Sequence, residues 1–149
     1  MTQKIKLTLA CILLAFAGMS LGLQIGKDVW SPHVEQLRFA DGLNVIVTHA
    51  TTSCPTCLTM KRLTRETLDE SFADAVAAGR IVFHEVNYEQ PDAADFCRQF
   101  KVATAAVVLV YVRNGEIVGG TNLADEAWTL YADEPAFKQM LDERINAML

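Results

Sequence analysis

The sequence predicts an α/β domain, a mixed four-stranded sheet with helices on both faces, behind an apolar N-terminal helix. From residue 43 onward, strand-like and helix-like patterns alternate, which is typical of a sheet covered by helices. Asn114-Gly115 separates the last two strand-like runs and is a strong hairpin signal. Hydrophobic residues make up 51% of the 149 residues, enough for one buried core.

The N-terminal segment predicts a membrane helix over residues 7–26, which carry no charge. About 20 apolar residues span a bilayer as a helix. Lys4 and Lys6 precede this run, so its N-terminus is expected to stay in the cytoplasm while the rest crosses.

Two interpretations of this segment remain, an uncleaved anchor and a cleaved signal peptide. Residues 15–17 (Ala-Phe-Ala) resemble a cleavage site, but the apolar run continues beyond them, which favours the anchor. We expect a signal anchor or signal peptide over 1–27, a linker over 28–42 and the folded domain over 43–149. The domain would then face the periplasm or cell exterior, or be secreted after cleavage.

The charge of the exported part is acidic. The net charge is −5, and residues 1–27 hold three lysines and no acidic residue, which leaves −8 for the remainder. Such a domain has no basic stripe, so we expect no nucleic-acid partner.

The first half of the domain predicts strand, helix, strand and helix. Residues 43–49 form a β-branched run typical of a strand, and Gly79 ends a helical pattern over 57–78. Residues 81–86 predict the second strand, and 92–100 a short helix after Pro91. The apolar residues expected along one side of the first helix are Leu63, Leu68, Phe72 and Val76.

The second half predicts a hairpin and a closing helix. Residues 107–112 are apolar enough for a strand buried on both faces, and 116–119 return as the fourth strand. A short helix is expected near 125–131, and Asp133 is placed to cap a last helix from Glu134. Its apolar face comprises Phe137, Met140, Leu141, Ile145 and Met148.

A Cys-Pro-Thr-Cys motif lies between the first strand and the first helix, and it is the candidate catalytic site. Free N–H groups and the helix dipole at a helix start favour the thiolate of Cys54, so Cys54 is the expected nucleophile. Cys57, one turn further in, would resolve the mixed disulfide. Pro55 suits the first turn, where its missing N–H costs nothing, and Thr56 completes the motif.

Other interpretations of the cysteine pair stay open. In an exported protein the pair can be a structural disulfide. The chain can also be a metal-binding or electron-transfer accessory subunit without disulfide turnover, in which Cys54 and Cys57 hold a metal together with His49, five residues before Cys54. No second cysteine pair completes a zinc site, so we expect no metal as the first interpretation. Cys97 is expected in the core, and Trp128 and Tyr131 are expected to serve packing.

The element order and the C-x-x-C position resemble the thioredoxin fold from residue 43 to 149. Members of that family usually carry a cis-proline, often after a threonine, just before the third strand. Here Thr104 is present, but Ala105 occupies the proline position and is expected to follow a trans bond. In the family this loop pairs with the substrate and its proline keeps metals off the thiolates. The resemblance therefore implies an altered loop flanking the site.

A second set of segments carries a narrower resemblance: 48–57, 107–110, Asn114-Gly115, Asn122-Leu123, Trp128 and 133–137. They resemble a bacterial group of anchored thioredoxin-like proteins, the nitrophenyl compound nitroreductase subunit, ArsF family. That resemblance implies that this chain is the thiol-bearing partner of a catalytic subunit elsewhere. The cysteine pair itself predicts a protein disulfide or dithiol partner, or a membrane electron donor. No dinucleotide-binding glycine motif is present, so we expect no cofactor.

Overall fold

The computed structural model describes residues 37–149, which contain four strands and five helices. The strands are β1 (Gly42–His49), β2 (Ile81–Asn87), β3 (Ala106–Arg113) and β4 (Glu116–Asn122). The helices are α1 (Pro55–Ser71), α2 (Ala73–Ala77), α3 (Ala94–Phe100), α4 (Ala124–Leu130) and α5 (Glu134–Asn146). A 3₁₀ turn at Pro91–Ala93 precedes α3.

The sheet is mixed and has the order β2-β1-β3-β4. β1 runs parallel to β2 and antiparallel to β3, which is antiparallel to β4. Thr48 is paired with Ala106, so the C-terminal end of β1 lies beside the start of β3. This end of the sheet receives both the loop that leads into α1 and the loop that leads into β3.

Two hydrophobic cores lie on opposite faces of the sheet, because successive strand residues point to opposite sides. On one face, Val45 and Val47 of β1 pack with residues of α1 and α5. On the other face lies the second core, in which Ile46 packs with Phe96 of α3. The mixed four-stranded sheet with helices on both faces is therefore confirmed.

The first predicted helix differs from the observed one at both ends. It begins at Pro55, two residues earlier than predicted, and it breaks at Phe72, where α2 follows as a separate short helix. The break keeps Phe72 in the core, while Val76, predicted on the buried side, is 37% exposed. That prediction for Val76 is wrong, because the chain changes direction before reaching it.

The fourth strand is longer than predicted and ends at Asn122 instead of residue 119. Two glycines weaken its sequence pattern, but pairing to β3 continues as far as Val108 opposite Asn122. Within residues 37–149, no helix is long and apolar enough to cross a membrane. The anchor or signal peptide expected over 1–27 and its membrane run over 7–26 lie outside the described residues.

The linker expected over 28–42 is described only from residue 37. Its Leu37 and Phe39 pack against the second core.

Candidate redox site

Cys54 and Cys57 form a disulfide bond, and their Cα atoms lie 5.1 Å apart. Cys54 is the N-cap of α1, in extended conformation with φ −96° and ψ 156°. Its Sγ accepts a hydrogen bond from the N–H of Cys57 at 3.1 Å, so the sulfur caps the N-terminus of the helix. Pro55 occupies the first turn, where its missing N–H is no loss. The motif thus forms both the redox bond and the start of the helix.

The two sulfurs differ in exposure. Cys57 is 9% exposed and packs inward, whereas Cys54 is half-buried. Pro55 is exposed and Thr56 is half-buried beside it. An incoming thiolate therefore reaches the sulfur of Cys54 more easily than that of Cys57.

His49 lies at the end of β1, and its side chain engages the backbone. Its Nδ1 is 2.9 Å from the carbonyl oxygen of Ala50. No hydrogen bond joins this ring to either sulfur in the part of the chain that the structure describes. Within residues 37–149, no group of three His, Cys, Asp or Glu side chains has the geometry of a metal site.

The loop that flanks the site before β3 contains Thr104 and Ala105. No peptide bond within residues 37–149 is cis, so the expected trans bond at Ala105 is confirmed. The hydroxyl of Thr48, fully buried, donates to the carbonyl of Thr104 at 3.1 Å. The same Oγ1 accepts the N–H of Ala106 at 2.9 Å. One threonine of β1 therefore ties this loop to the end of the strand that leads to the cysteines.

Trp128 of α4 holds the same loop from the other side. Its indole N–H donates to the carbonyl of Ala105 at 2.8 Å, and its ring stacks edge-on with Tyr131 at 6.2 Å. Trp128 is 38% exposed. Sequence reasoning assigned it to packing and missed the bond, because nothing in the local sequence shows which carbonyl an indole will reach. The only available signal is that a partly buried indole N–H usually finds a partner.

The basic residues of α1 are paired with carboxylates. Lys61 and Arg65 both bind Glu85 of β2, at 2.6 and 2.7 Å, and Arg65 also lies 4.4 Å from the ring centre of Phe83. Arg62 binds carboxylates of α1 and α5. Each of these three cations is therefore engaged by a carboxylate. The N-terminus of α1 places its own partial positive charge at Cys54.

Cys97 is a free thiol in α3, half-buried at the edge of the second core. Its Sγ lies 3.8 Å from the carbonyl of Tyr88. Burial raises the pKa of the Cys97 thiol, which keeps it protonated and slow to react.

No family model matches the chain, and no curated protein matches it. Among solved structures, it is similar to mitochondrial thioredoxin 3 from Saccharomyces cerevisiae in the oxidised form. That pair shares 16% identity, the match covers 69% of this chain and 79% of the other, and the TM-score is 0.41. Thioredoxin from Fasciola hepatica shares 18% identity with this chain; the match covers 72% of this chain and 82% of the other, with a TM-score of 0.42. Thioredoxin f2 from Chlamydomonas reinhardtii shares 19% identity; the match covers 73% of this chain and 94% of the other, with a TM-score of 0.36.

The resemblance to the ArsF family is not confirmed. The fold assignment rests on the chain's own topology, with strand order β2-β1-β3-β4 and a cysteine pair at the N-terminus of the helix that follows β1. By that topology the domain has a thioredoxin-like fold.

Proposed function

We propose that this chain is a thiol–disulfide redox protein that exchanges electrons with a partner protein through Cys54 and Cys57. The observation that carries the proposal is the disulfide closed at the N-cap of α1. A helix N-terminus stabilises the thiolate that forms when this bond is reduced. A disulfide with a merely structural role gains nothing from that placement.

The exchange proceeds in two balanced steps. A partner thiolate attacks the Sγ of Cys54, the bond between Cys54 and Cys57 breaks, and Cys57 leaves as a thiolate that takes up a proton. The partner's second thiolate then attacks the partner sulfur of the mixed disulfide and releases Cys54 as a thiolate at the helix N-terminus. The domain gains two electrons, and the partner becomes a disulfide. The reverse sequence reduces a partner disulfide.

The proposed location is the outer face of a membrane, with residues 7–26 as the anchor and the domain in the periplasm or cell exterior. The uncharged run and its basic N-terminal flank support this location. A membrane-impermeant maleimide applied to reduced whole cells should label Cys54. Labelling only after cell lysis would contradict the location.

The proposed partner is a redox protein or a membrane electron donor, since the acidic domain lacks a dinucleotide-binding motif of its own. The resemblance to the nitroreductase subunit family supports a role as the thiol-bearing subunit of a larger enzyme. Trapping mixed disulfides with Cys57→Ser in cells that make the full chain would identify this partner. Recovery of the same protein with Cys54→Ser, which lacks the attacking sulfur, would argue against a trapped redox intermediate.

The central test is the reduction potential of the Cys54–Cys57 pair, measured by equilibration with glutathione buffers under metal-free conditions. A working pair should lie between about −120 and −270 mV, the range of thioredoxin-like catalysts. A value below about −300 mV would identify a structural disulfide and overturn the proposal. Cys97→Ser is the matched control and should leave the potential unchanged, because its half-buried thiol forms no disulfide.

A further inference from the structure

The turn between β3 and β4, Asn114-Gly115, is bound by the carboxylate of Asp41. The N–H of Asn114 donates to one oxygen of that carboxylate at 3.1 Å, and the N–H of Gly115 donates to the other at 2.8 Å. All three residues are exposed, and Asp41 directly precedes β1. One side chain at the start of the sheet therefore binds both backbone donors of the hairpin turn.

The backbone on both sides of this contact adopts left-handed conformations. Asn114 has φ 55° and Gly115 has φ 76°, the two positive values that a type I′ hairpin turn requires. Gly42, next to Asp41, has φ 110°, and a Cβ atom there would lie 2.7 Å from the carbonyl oxygen of Arg80. A glycine at residue 42 thus lets the chain pass close to Arg80 and holds Asp41 where it reaches the turn.

An Asn-Gly dipeptide is also the one in which asparagine most readily loses its side-chain amide, because glycine has no side chain to hinder the attack. The backbone nitrogen of Gly115 attacks Cγ of Asn114. The bond from Cγ to the side-chain nitrogen breaks, and ammonia leaves with the proton of the former N–H. Water then opens the cyclic imide at either carbonyl, so residue 114 becomes aspartate or isoaspartate. The reaction consumes only water.

We propose that Asn114 is a site of spontaneous deamidation and that Asp41 protects it in the folded chain. While the N–H of Gly115 donates to a carboxylate, its nitrogen cannot lose the proton without placing one negative charge beside another. The second bond, from the N–H of Asn114, opposes the rotation that would bring this nitrogen to Cγ. Deamidation therefore requires the hairpin end to separate from Asp41, and its rate reports how often that happens.

The product weakens the contact that protects the site. An aspartate at residue 114 places a second carboxylate near that of Asp41, and an isoaspartate adds a backbone atom to the turn. This turn lies beside the start of β1, where Gly42 is paired with Val112, whereas the loop to the cysteines follows the other end of β1. The site is thus separate from the cysteine pair, and the inference does not rest on the proposed redox function.

The first test measures the deamidation rate at Asn114 in the full chain, folded and in guanidinium chloride. Peptide mass spectrometry after incubation in mildly alkaline buffer resolves the site. Folding should slow the reaction at least about tenfold, the effect of one hydrogen bond to a charged group. Equal rates in the two states would overturn the protection, and an absence of product at Asn114 in both would overturn the site.

The second test compares Asp41→Ala with Asp69→Ala, which removes an exposed carboxylate from α1 instead. In the folded state, Asp41→Ala should raise the rate at Asn114 about 5- to 10-fold, while Asp69→Ala should leave it unchanged. Circular dichroism shows whether each variant is folded. An unchanged rate in folded Asp41→Ala would overturn the role of Asp41. If that variant does not fold, the comparison of folded and unfolded native chain decides alone.

Discussion

At the scale of single residues, the two cysteines should react at different rates once reduced. Cys54 is the more exposed, and it sits at the helix N-terminus, where a thiolate is stabilised. With limiting iodoacetamide at pH 7, we expect Cys54 to be alkylated at least about tenfold faster than Cys57. Site-resolved mass spectrometry of the full chain measures both rates.

Cys97 provides an internal control for that experiment. Burial raises the pKa of its thiol, so it should be alkylated more slowly than Cys54. If Cys57 or Cys97 reacted first, the assignment of Cys54 as nucleophile would be wrong.

The sequence predicted only part of this site. The Cys-x-x-Cys spacing and its place before a helix indicated the cysteine pair, because those cues are local. The bond from Trp128 to Ala105 joins residues 23 positions apart, and the bond from Thr48 to Thr104 joins residues 56 apart. Such contacts depend on how β3 and α4 pack, and no local pattern records that.

At the scale of elements, the contact between α3 and β4 depends on one glycine of an adjacent pair. A Cβ atom on Gly120 would lie 2.4 Å from the ring of Phe100 and 2.9 Å from the carbonyl oxygen of Leu109, whereas Gly119 has no neighbour within 4 Å. Gly120→Ala should lower the free energy of unfolding by about 1–3 kcal/mol through overpacking. Gly119→Ala should change it by less than about 0.5 kcal/mol.

Urea unfolding of the two variants, followed by circular dichroism, measures both values. Equal stabilities would show that the ring of Phe100 moves aside without cost. The same pair of glycines explains the short prediction for β4. Glycine has low strand propensity, so the pattern appeared to end at residue 119, but the close approach of Phe100 requires a residue without a side chain.

The predicted helix over residues 57–78 is divided at Phe72, and this difference also arises from packing that the local sequence does not show. A helical pattern ran through residues 57–78 because apolar residues recurred at helical spacing. The structure instead ends α1 at Ser71, and the N–H of Phe72 bonds to the carbonyl of Leu68. Core packing of Phe72 and Ala75 outweighs the local periodicity, and only the tertiary structure shows that competition.

At the scale of the whole molecule, one hydrogen-bonded histidine joins several parts of the second core. His84 of β2 lies 2.9 Å from Oδ1 of Asn44 in β1, whose amide group donates to the carbonyl of Ala40. The ring of Phe39 lies 5.4 Å from that of His84 and 5.6 Å from that of Phe96 in α3. A charge on His84 would therefore be placed among the segment before β1, two strands and a helix.

This arrangement makes the global stability depend on pH in a defined direction. Burial lowers the pKa of His84 below its ordinary value of about 6.5, so near pH 6 the unfolded chain binds more protons than the folded one. The free energy of unfolding should then fall as the pH drops from about 6.5 towards the lower folded pKa, and level off beyond it. Hydrogen bonds from Arg62 and Thr51 keep the pKa values of Glu66 and Glu89 low, so their contributions are lost only at more acid pH.

Urea unfolding between pH 5 and 7.5 therefore separates the effect of histidine protonation on stability from that of carboxylate protonation. His84→Gln should remove most of the loss of stability in this window, since its amide can still donate to Asn44 but never charges. His49→Gln is the matched control, because that histidine lies at a strand end outside both cores and should leave the slope intact. A slope that persists in His84→Gln and disappears in His49→Gln would place the titrating group at the redox end of the sheet. The second core would then be insensitive to pH, and acid would act on the region around Cys54 instead.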